Sequence, residues 1–238
     1  MWTQLPSTGR RRRSTFPDDD GYNDRYADRV AAGRLLAERL QVYRGGRALV
    51  LALPPGGVIV AGELARALRL PLDVLVARSF NAPLYPAVVA GAISEGGGLC
   101  FNRTALRLPG VTPQAIWREA CRARRDLITL VASYRHGRAL PSLSRRPIIL
   151  VDDGLCDGLG QLAAIESIRH AHVHRCVVAS PGGAPDALDR VARRADELVT
   201  LDCMDEERGD APFHWRQAMG DDETPALLDQ CRLRAIAR

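Results

Sequence analysis

The sequence predicts an α/β fold, a mostly parallel twisted sheet with helices on both faces, extended by a helical insertion and a C-terminal helix. Three observations carry this reading. Short apolar, β-branched runs at residues 48–53, 72–77, 147–151, 176–179 and 197–202 alternate with helix-length segments, the chain order of parallel strands and their crossover helices. The run at 147–151 is apolar at every position, as expected of a strand buried on both faces. Finally, Leu150-Val-Asp-Asp-Gly-Leu-Cys-Asp-Gly-Leu-Gly160 reads as that strand passing into a glycine-rich turn that opens a helix. Such a turn is an anion site at the edge where open α/β sheets bind ligands.

The elements follow in order. Residues 26–43 form a helix with Val30, Leu36 and Leu40 on one side and arginines on the other, ended by Gly45-Gly46. The strand at 48–53 leads through Pro54-Pro-Gly-Gly57 into a helix at 58–68. After the strand at 72–77, Arg78-Ser-Phe-Asn81 and a loop at 83–86 precede a hairpin, 88–94 with 98–101, turning at Glu95-Gly96-Gly97. Thr112-Pro113 is an N-cap with proline at the first helical position, and the insertion helix runs to about Arg135 before His136-Gly137. Ile116, Ala120, Ala123, Leu127, Leu130 and Val131 give it an apolar face. The glycine-rich turn opens a helix at 162–169, and further helices are expected at 186–194 and 224–237.

With 238 residues, 46% of them hydrophobic, the chain suits one domain with a real core. We divide it into a disordered tail at 1–25, a main domain at 26–203 with its insertion at about 112–135, and a C-terminal segment with a helix at 204–238. No apolar run reaches the roughly eighteen residues that a membrane span needs, and Met1 to Arg13 lacks the apolar stretch of a signal peptide. A cytoplasmic protein without membrane contact is expected. Six scattered cysteines with no C-x-x-C pair fit free thiols better than a zinc knuckle or a disulfide. All 33 basic residues are arginine, which excludes a Walker-type phosphate loop and a Schiff-base lysine.

The net charge of +5 is uneven, with ten arginines against Glu119 and Asp126 at 101–147 but ten against seventeen acids from Ile148 onward. That asymmetry suits a phosphate-rich ligand or the pairing of subunits as a homodimer. Arg10 to Arg13 and the insertion helix's Arg118, Arg122, Arg124 and Arg125 are each candidates for a nucleic-acid surface, although solvated charge is the commoner outcome of such runs. His170, His172 and His174 would share one face only if their segment were extended; a helix end and turn is the simpler reading.

The central run resembles the PRPP-binding motif of type I phosphoribosyltransferases, which in one bacterial branch reads approximately V-D-D-G-L-A-T-G-A-T. The resemblance continues in Asp28-Arg29 with Ala32-Gly33, Leu53-Pro-Pro-Gly-Gly57, Pro71-Leu-Asp-Val74, Gly91-Ala-Ile-Ser-Glu-Gly96, Ala195-Asp-Glu197 and Asp222-Glu223. It implies transfer of 5-phosphoribosyl from Mg-PRPP to a nucleobase-type nitrogen acceptor. By the same resemblance, Asp152 and Asp153 hold the ribose hydroxyls and help organise Mg²⁺, and Gly154, Leu155, Cys156, Asp157, Gly158, Leu159 and Gly160 form the 5′-phosphate turn. Gly56, Gly57 and Arg78 meet pyrophosphate, the hairpin carries the mobile loop over the reaction centre, and residues 203–208 help hold the acceptor.

Three departures fall on these motifs. Pro55 replaces a basic residue, and since the family commonly holds a cis bond there, a cis Pro54–Pro55 bond is expected. Pro86-Ala87 stands for Pro-Glu. Asp157 stands for threonine, where its carboxylate is expected to cap the helix by accepting the N–H of Gly160 or Gln161. Two other readings remain beside the transferase: a non-catalytic member that senses a nucleotide or phosphate, and a regulator that binds RNA or DNA on the same fold.

Overall fold

The computed structural model describes residues 29–201, 221 and 224–236. The tail at 1–25, the acceptor segment at 203–208 and Asp222-Glu223 lie outside the described residues. The strands are β1 Leu49–Ala52, β2 Leu72–Val74, β3 Ala77–Ala82, β4 Tyr85–Ser94, β5 Leu99–Phe101, β6 Pro147–Val151, β7 Arg175–Ser180 and β8 Glu197–Thr200. The helices are α1 Arg29–Arg39, α2 Gly57–Leu68, α3 Pro113–Arg135, α4 Leu159–His170, α5 Pro185–Ala192 and α6 Thr224–Ile236. Five parallel strands form the main sheet in the order β2-β1-β6-β7-β8. A separate antiparallel sheet contains β3, β4 and β5.

Strand alternation builds the two layers. In β1 and β6, Val50, Ala52, Ile149 and Val151 pack toward α1 and α2, where Leu36 and Leu64 meet them. Leu49, Leu51, Ile148 and Leu150 point the other way, onto Ile165 and Ile168 of α4 and Leu188 of α5. Each of these Val, Leu and Ile side chains, fully withdrawn from water, contributes about 1.5–3 kcal/mol before chain entropy is charged against it. The C-terminal helix α6 closes the first layer through Leu228.

The insertion helix α3 is capped by Thr112, which accepts the N–H of Ala115 at 3.3 Å, and His136 ends it in the left-handed region. It packs on the small sheet through Ile116, Ala120 and Ala123 against Phe80, Ala82 and Ala90. The other face of that sheet lies on α4, where Ala92 meets Leu159 and Ala163.

Several expectations change. The run at 72–77 is not one strand: β2 stops at Val74, and Arg78-Ser-Phe-Asn81 belongs to β3, which pairs only with β4. Residues 83–86 are not wholly loop, since β4 begins at Tyr85. The first helix ends at Arg39 and is followed by a 3-10 turn, Gln41–Tyr43, and its arginines are not all solvated. Arg34 pairs with Glu63 at 3.3 Å, and Arg29 makes a partly buried ion pair described below. The segment holding the three histidines is a helix end and turn, with His170 closing α4 beside Glu166 at 3.5 Å and His172 at φ +51°. No described helix is long and apolar enough to cross a membrane.

Candidate functional site

The carboxyl ends of β1 and β6, adjacent and in register from Leu49 with Ile148 to Ala52 with Val151, bring the two glycine loops together. A side chain at Gly56 would run into the Asp153 carboxylate, and one at Gly57 would place its Cβ 2.8 Å from the Val151 carbonyl oxygen. Only glycine lets the backbone of the first loop approach the acidic pair this closely. The Pro54–Pro55 bond in this loop is cis, as expected.

The two acids differ in what surrounds them. Asp153 Oδ2 accepts from Arg29 Nε at 2.9 Å and lies 2.8 Å from Arg29 Nη2, although Arg29 stands 124 residues earlier. Asp152 takes neutral donors: the Asp153 backbone N–H at 2.8 Å on Oδ1 and the Gln161 side-chain amide on Oδ2. Burial, and then the Asp153 charge, push the Asp152 carboxyl well above the usual carboxylate range. A cation or a ring of hydroxyl donors would relieve this.

The turn after the acids is fixed from outside. Leu155 donates to the Gly182 carbonyl at 3.0 Å and accepts from Ala184 N–H at 2.9 Å, so the loop before α5 clamps it. Gly158 is at φ +70°, a conformation that suits glycine, and turns the chain into α4. Asp157 does cap the helix with its own carboxylate, but the donor is Leu159 N–H at 2.8 Å, neither Gly160 nor Gln161. With Gly158 occupying the N-cap in the left-handed region, Asp157 falls one residue outside and reaches only two residues on, as an Asx turn does. Leu162 N–H donates to the Gly158 carbonyl at 2.9 Å, so the remaining first-turn amides beyond Leu159 are those of Gly160 and Gln161.

Arg78 stands apart from these loops. On β3 it pairs with Asp221 at 3.3 Å, and Asp221 also accepts from Tyr134 Oη at 2.9 Å. Burial, and then this carboxylate, push the Tyr134 phenol upward. Two concavities, of about 360 and 520 Å³, both border the Glu95-Gly96 turn and neither is lined by the acidic loop. The candidate site lies at the carboxyl edge of the sheet.

Sequence reasoning placed Asp73 and Glu95 in motifs but missed what joins them. Arg135 is buried and donates to Asp73 Oδ1 at 2.9 Å, to Glu95 at 2.8 and 3.1 Å, and to the Val74 carbonyl at 2.6 Å. Arg232 of α6 adds a 2.6 Å bond to the same Asp73 oxygen. Burial works against the Arg135 charge, but Glu95 and Asp73 outweigh it and hold its pKa above the ordinary value. The network pins the hairpin turn to the end of β2, and Gly98 N–H to Ser167 Oγ at 2.8 Å fastens that turn to α4. Arg29 was legible within the Asp28-Arg29 motif; its partner was not.

A parallel sheet whose adjacent strand ends carry a glycine loop, an acidic pair and a second glycine-rich turn opening a helix is the type I phosphoribosyltransferase class of fold. The profile described as "Phosphoribosyl transferase domain" matches residues 23–202, and the chain belongs to that family. It is 39% identical over 179 residues to two Mycobacterium tuberculosis proteins carrying the provisional name phosphoribosyl transferase. That alignment covers 74% of this chain but 40% of those relatives, so the chain spans about two fifths of their length. The crystal structure of a protein from Thermus thermophilus is similar at TM-score 0.68 and 35% identity, covering 87% of this chain and 98% of that one.

Proposed function

We propose that the protein transfers a 5-phosphoribosyl group from PRPP to a nitrogen of a nucleobase-type acceptor in the cytoplasm. The observation that supports this most is the packing of Gly56 and Gly57 against Asp153 and Asp152, a glycine loop beside the acids that in this reading bind ribose. In the reaction the bond from the anomeric carbon to the pyrophosphate oxygen breaks, a carbon–nitrogen bond forms, and the sugar carries positive charge between. Fixed charges near that carbon are therefore the main catalytic resource.

In this reading Asp152 and Asp153 accept hydrogen bonds from the ribose 2- and 3-hydroxyls and face the developing cation. The amides of the turn from Cys156 to Gly160 take the 5′-phosphate, and Gly56 and Gly57 lie along the pyrophosphate. Arg78 would exchange the Asp221 carboxylate for a pyrophosphate oxygen. Carboxylate oxygens at the strand end are donors of the kind Mg²⁺ prefers, alongside substrate phosphates, and Asp152 and Asp153 are the residues that would hold it through the ligand. Mg²⁺ would neutralise charge on the leaving pyrophosphate.

Asp157 favours a second reading, a member that binds nucleotides weakly without turnover, because its carboxylate already serves the helix start where a dianion would sit. Titrating PRPP with Mg²⁺ by calorimetry and then adding bases separates the two. Saturable heat with pyrophosphate release supports the transferase; binding without release against any base supports the second reading. No PRPP heat and no release, with nucleotides equally silent, would overturn both.

A further inference from the structure

Arg29 and Gly33 lie in sequence far from the loops of the candidate site, yet the fold carries them to it. Both belong to α1 and share one face of it, one turn apart. Gly33 lies against α2: a Cβ there would stand 2.5 Å from the Val60 carbonyl oxygen and 2.9 Å from Glu63 Cβ, so a side chain at this position would push the two helices apart. Leu36, further along α1, is fully buried in the same layer as Leu64 of α2. With α1 held this close, its first residue, Arg29, reaches the carboxylate of Asp153, on which Gly56 at the N-cap of α2 also rests.

The contact fixes an orientation. Arg29 Nε donates at 2.9 Å and Nη2 lies at 2.8 Å, both on Asp153 Oδ2, and two nitrogens of one planar group on one oxygen restrict rotation of both side chains. The Arg29 and Asp153 side chains are 10% and 21% exposed. Arg34, on the same helix, is 60% exposed in its pair with Glu63, so solvent screens that pair far more. Asp152 is held differently, by the Asp153 N–H and Gln161. We infer that Arg29 is a positioning residue of the site: its guanidinium holds the Asp153 carboxylate toward the ribose hydroxyls, and Gly33 holds α1 where Arg29 can do so. This rests on the reading of Asp153 as a ribose-binding acid.

Calorimetric titration of PRPP with Mg²⁺ into four full chains tests it: the natural protein, Arg29→Met, Asp153→Asn and the double variant. Arg29→Met should weaken PRPP binding by about tenfold or more, as expected when a hydrogen bond to a charged group is misplaced, and Asp153→Asn by a similar factor. The double variant should bind within about twofold of Asp153→Asn alone, because Arg29 acts through that carboxylate. Pyrophosphate with Mg²⁺, which has no ribose, should bind the natural chain and Arg29→Met within about threefold of each other. If Arg29→Met does not fold, Arg29→Gln takes its place with the same expected factors. Losses that multiply in the double variant would make Arg29 a direct ligand contact, and equal losses for PRPP and pyrophosphate would make it a prop for the whole loop. Either result, or unchanged PRPP binding by Arg29→Met, overturns the inference and leaves the functional reading standing. A natural chain that binds no PRPP overturns the functional reading, and the inference falls with it.

Discussion

Two pairs of carboxylates lie beside the main sheet, and their company separates them. Asp73 and Glu95 share Arg135, and Asp73 also takes Arg232, so that network is charge-compensated and buried. Asp152 and Asp153 are next to each other in the chain, with Arg29 on Asp153 and neutral amides on Asp152. A compensated pair holds a fold together. An acid held among neutral donors carries an electrostatic cost that a ligand can relieve, and the comparison therefore distinguishes scaffold from site without reference to any motif.

The sharpest way to break the comparison is Arg135→Met. Removing this one side chain strands Glu95 and half of the support of Asp73, and breaking a buried pair this way costs about 3–5 kcal/mol. Denaturant unfolding should show that loss, and the hairpin from Ser94 to Gly98 should lose hydrogen-exchange protection first. A loss under about 1 kcal/mol would mean that the network is incidental and that compensation is no mark of structural work.

The phosphate turn offers the next largest effect. Asp157→Thr removes a negative charge from the place proposed for a dianion and supplies a hydroxyl donor in its stead. Two unit charges at 4 Å interact by about 4 kcal/mol at an effective dielectric of 20. The partly exposed position of Asp157 reduces this, so we expect a gain in PRPP affinity of about a hundredfold. Calorimetry on both chains measures it. Equal micromolar affinities would show that the Leu159 cap leaves the other amides fully able to bind phosphate.

What was legible in the chain follows from range. Periodicity and glycine placement are local, so the five strands, the crossover helices and both glycine loops could be read from short windows. The cap at Thr112 and the stop at His136 were equally local. The separate strand β3 was not, because Arg78-Ser-Phe-Asn81 is polar but for Phe80 and only its pairing with β4 makes it a strand. Ion pairs were the least legible of all. Arg29 finds Asp153 across 124 positions, and Arg135 finds Asp73 across 62; nothing in a local pattern chooses among 33 arginines. Tyr134 could have been found, since it continues the series of Ile116, Ala120, Ala123 and Leu127 by helical steps.

Neutralising each acid of the candidate site in turn separates them further. Asp153→Asn takes the charge from the Arg29 contact and should destabilise the ligand-free protein by about 1.5–3 kcal/mol, the range for a hydrogen bond to a charged group. Asp152→Asn should act in the opposite direction at neutral pH, because its amide neighbours do not require the charge. Melting curves of both variants, without ligand, decide this. Two losses of similar size would show that Asp152 is as well served as its neighbour.

The smallest effect is the pH dependence of that second variant, and its sign follows from burial. Asp152 is raised above its ordinary value of 3.8 by desolvation first and by Asp153 second, so the folded state holds this proton more tightly than the unfolded state does. Linkage then makes the group's contribution to stability fall as pH rises, starting near the ordinary value and ending above the raised one. Glu63 runs the other way: burial opposes its charge, but Arg66 and Arg34 outweigh it and lower its pKa from 4.5, so its contribution is lost as pH falls. Asp152→Asn should therefore match the natural protein near pH 3, where the acid is protonated in both states, and exceed it progressively toward pH 7. Each 1 kcal/mol of that gap appears as a melting-temperature difference of about 2–4 °C for a chain of this size. Mg²⁺ with PRPP should close the gap at pH 7 by supplying the cation that Asp152 lacks among the described residues. A gap of constant size from pH 3 to 7 would mean that the carboxylate charge is not the source of the cost, and a gap untouched by Mg²⁺ with PRPP would move the ligand away from Asp152.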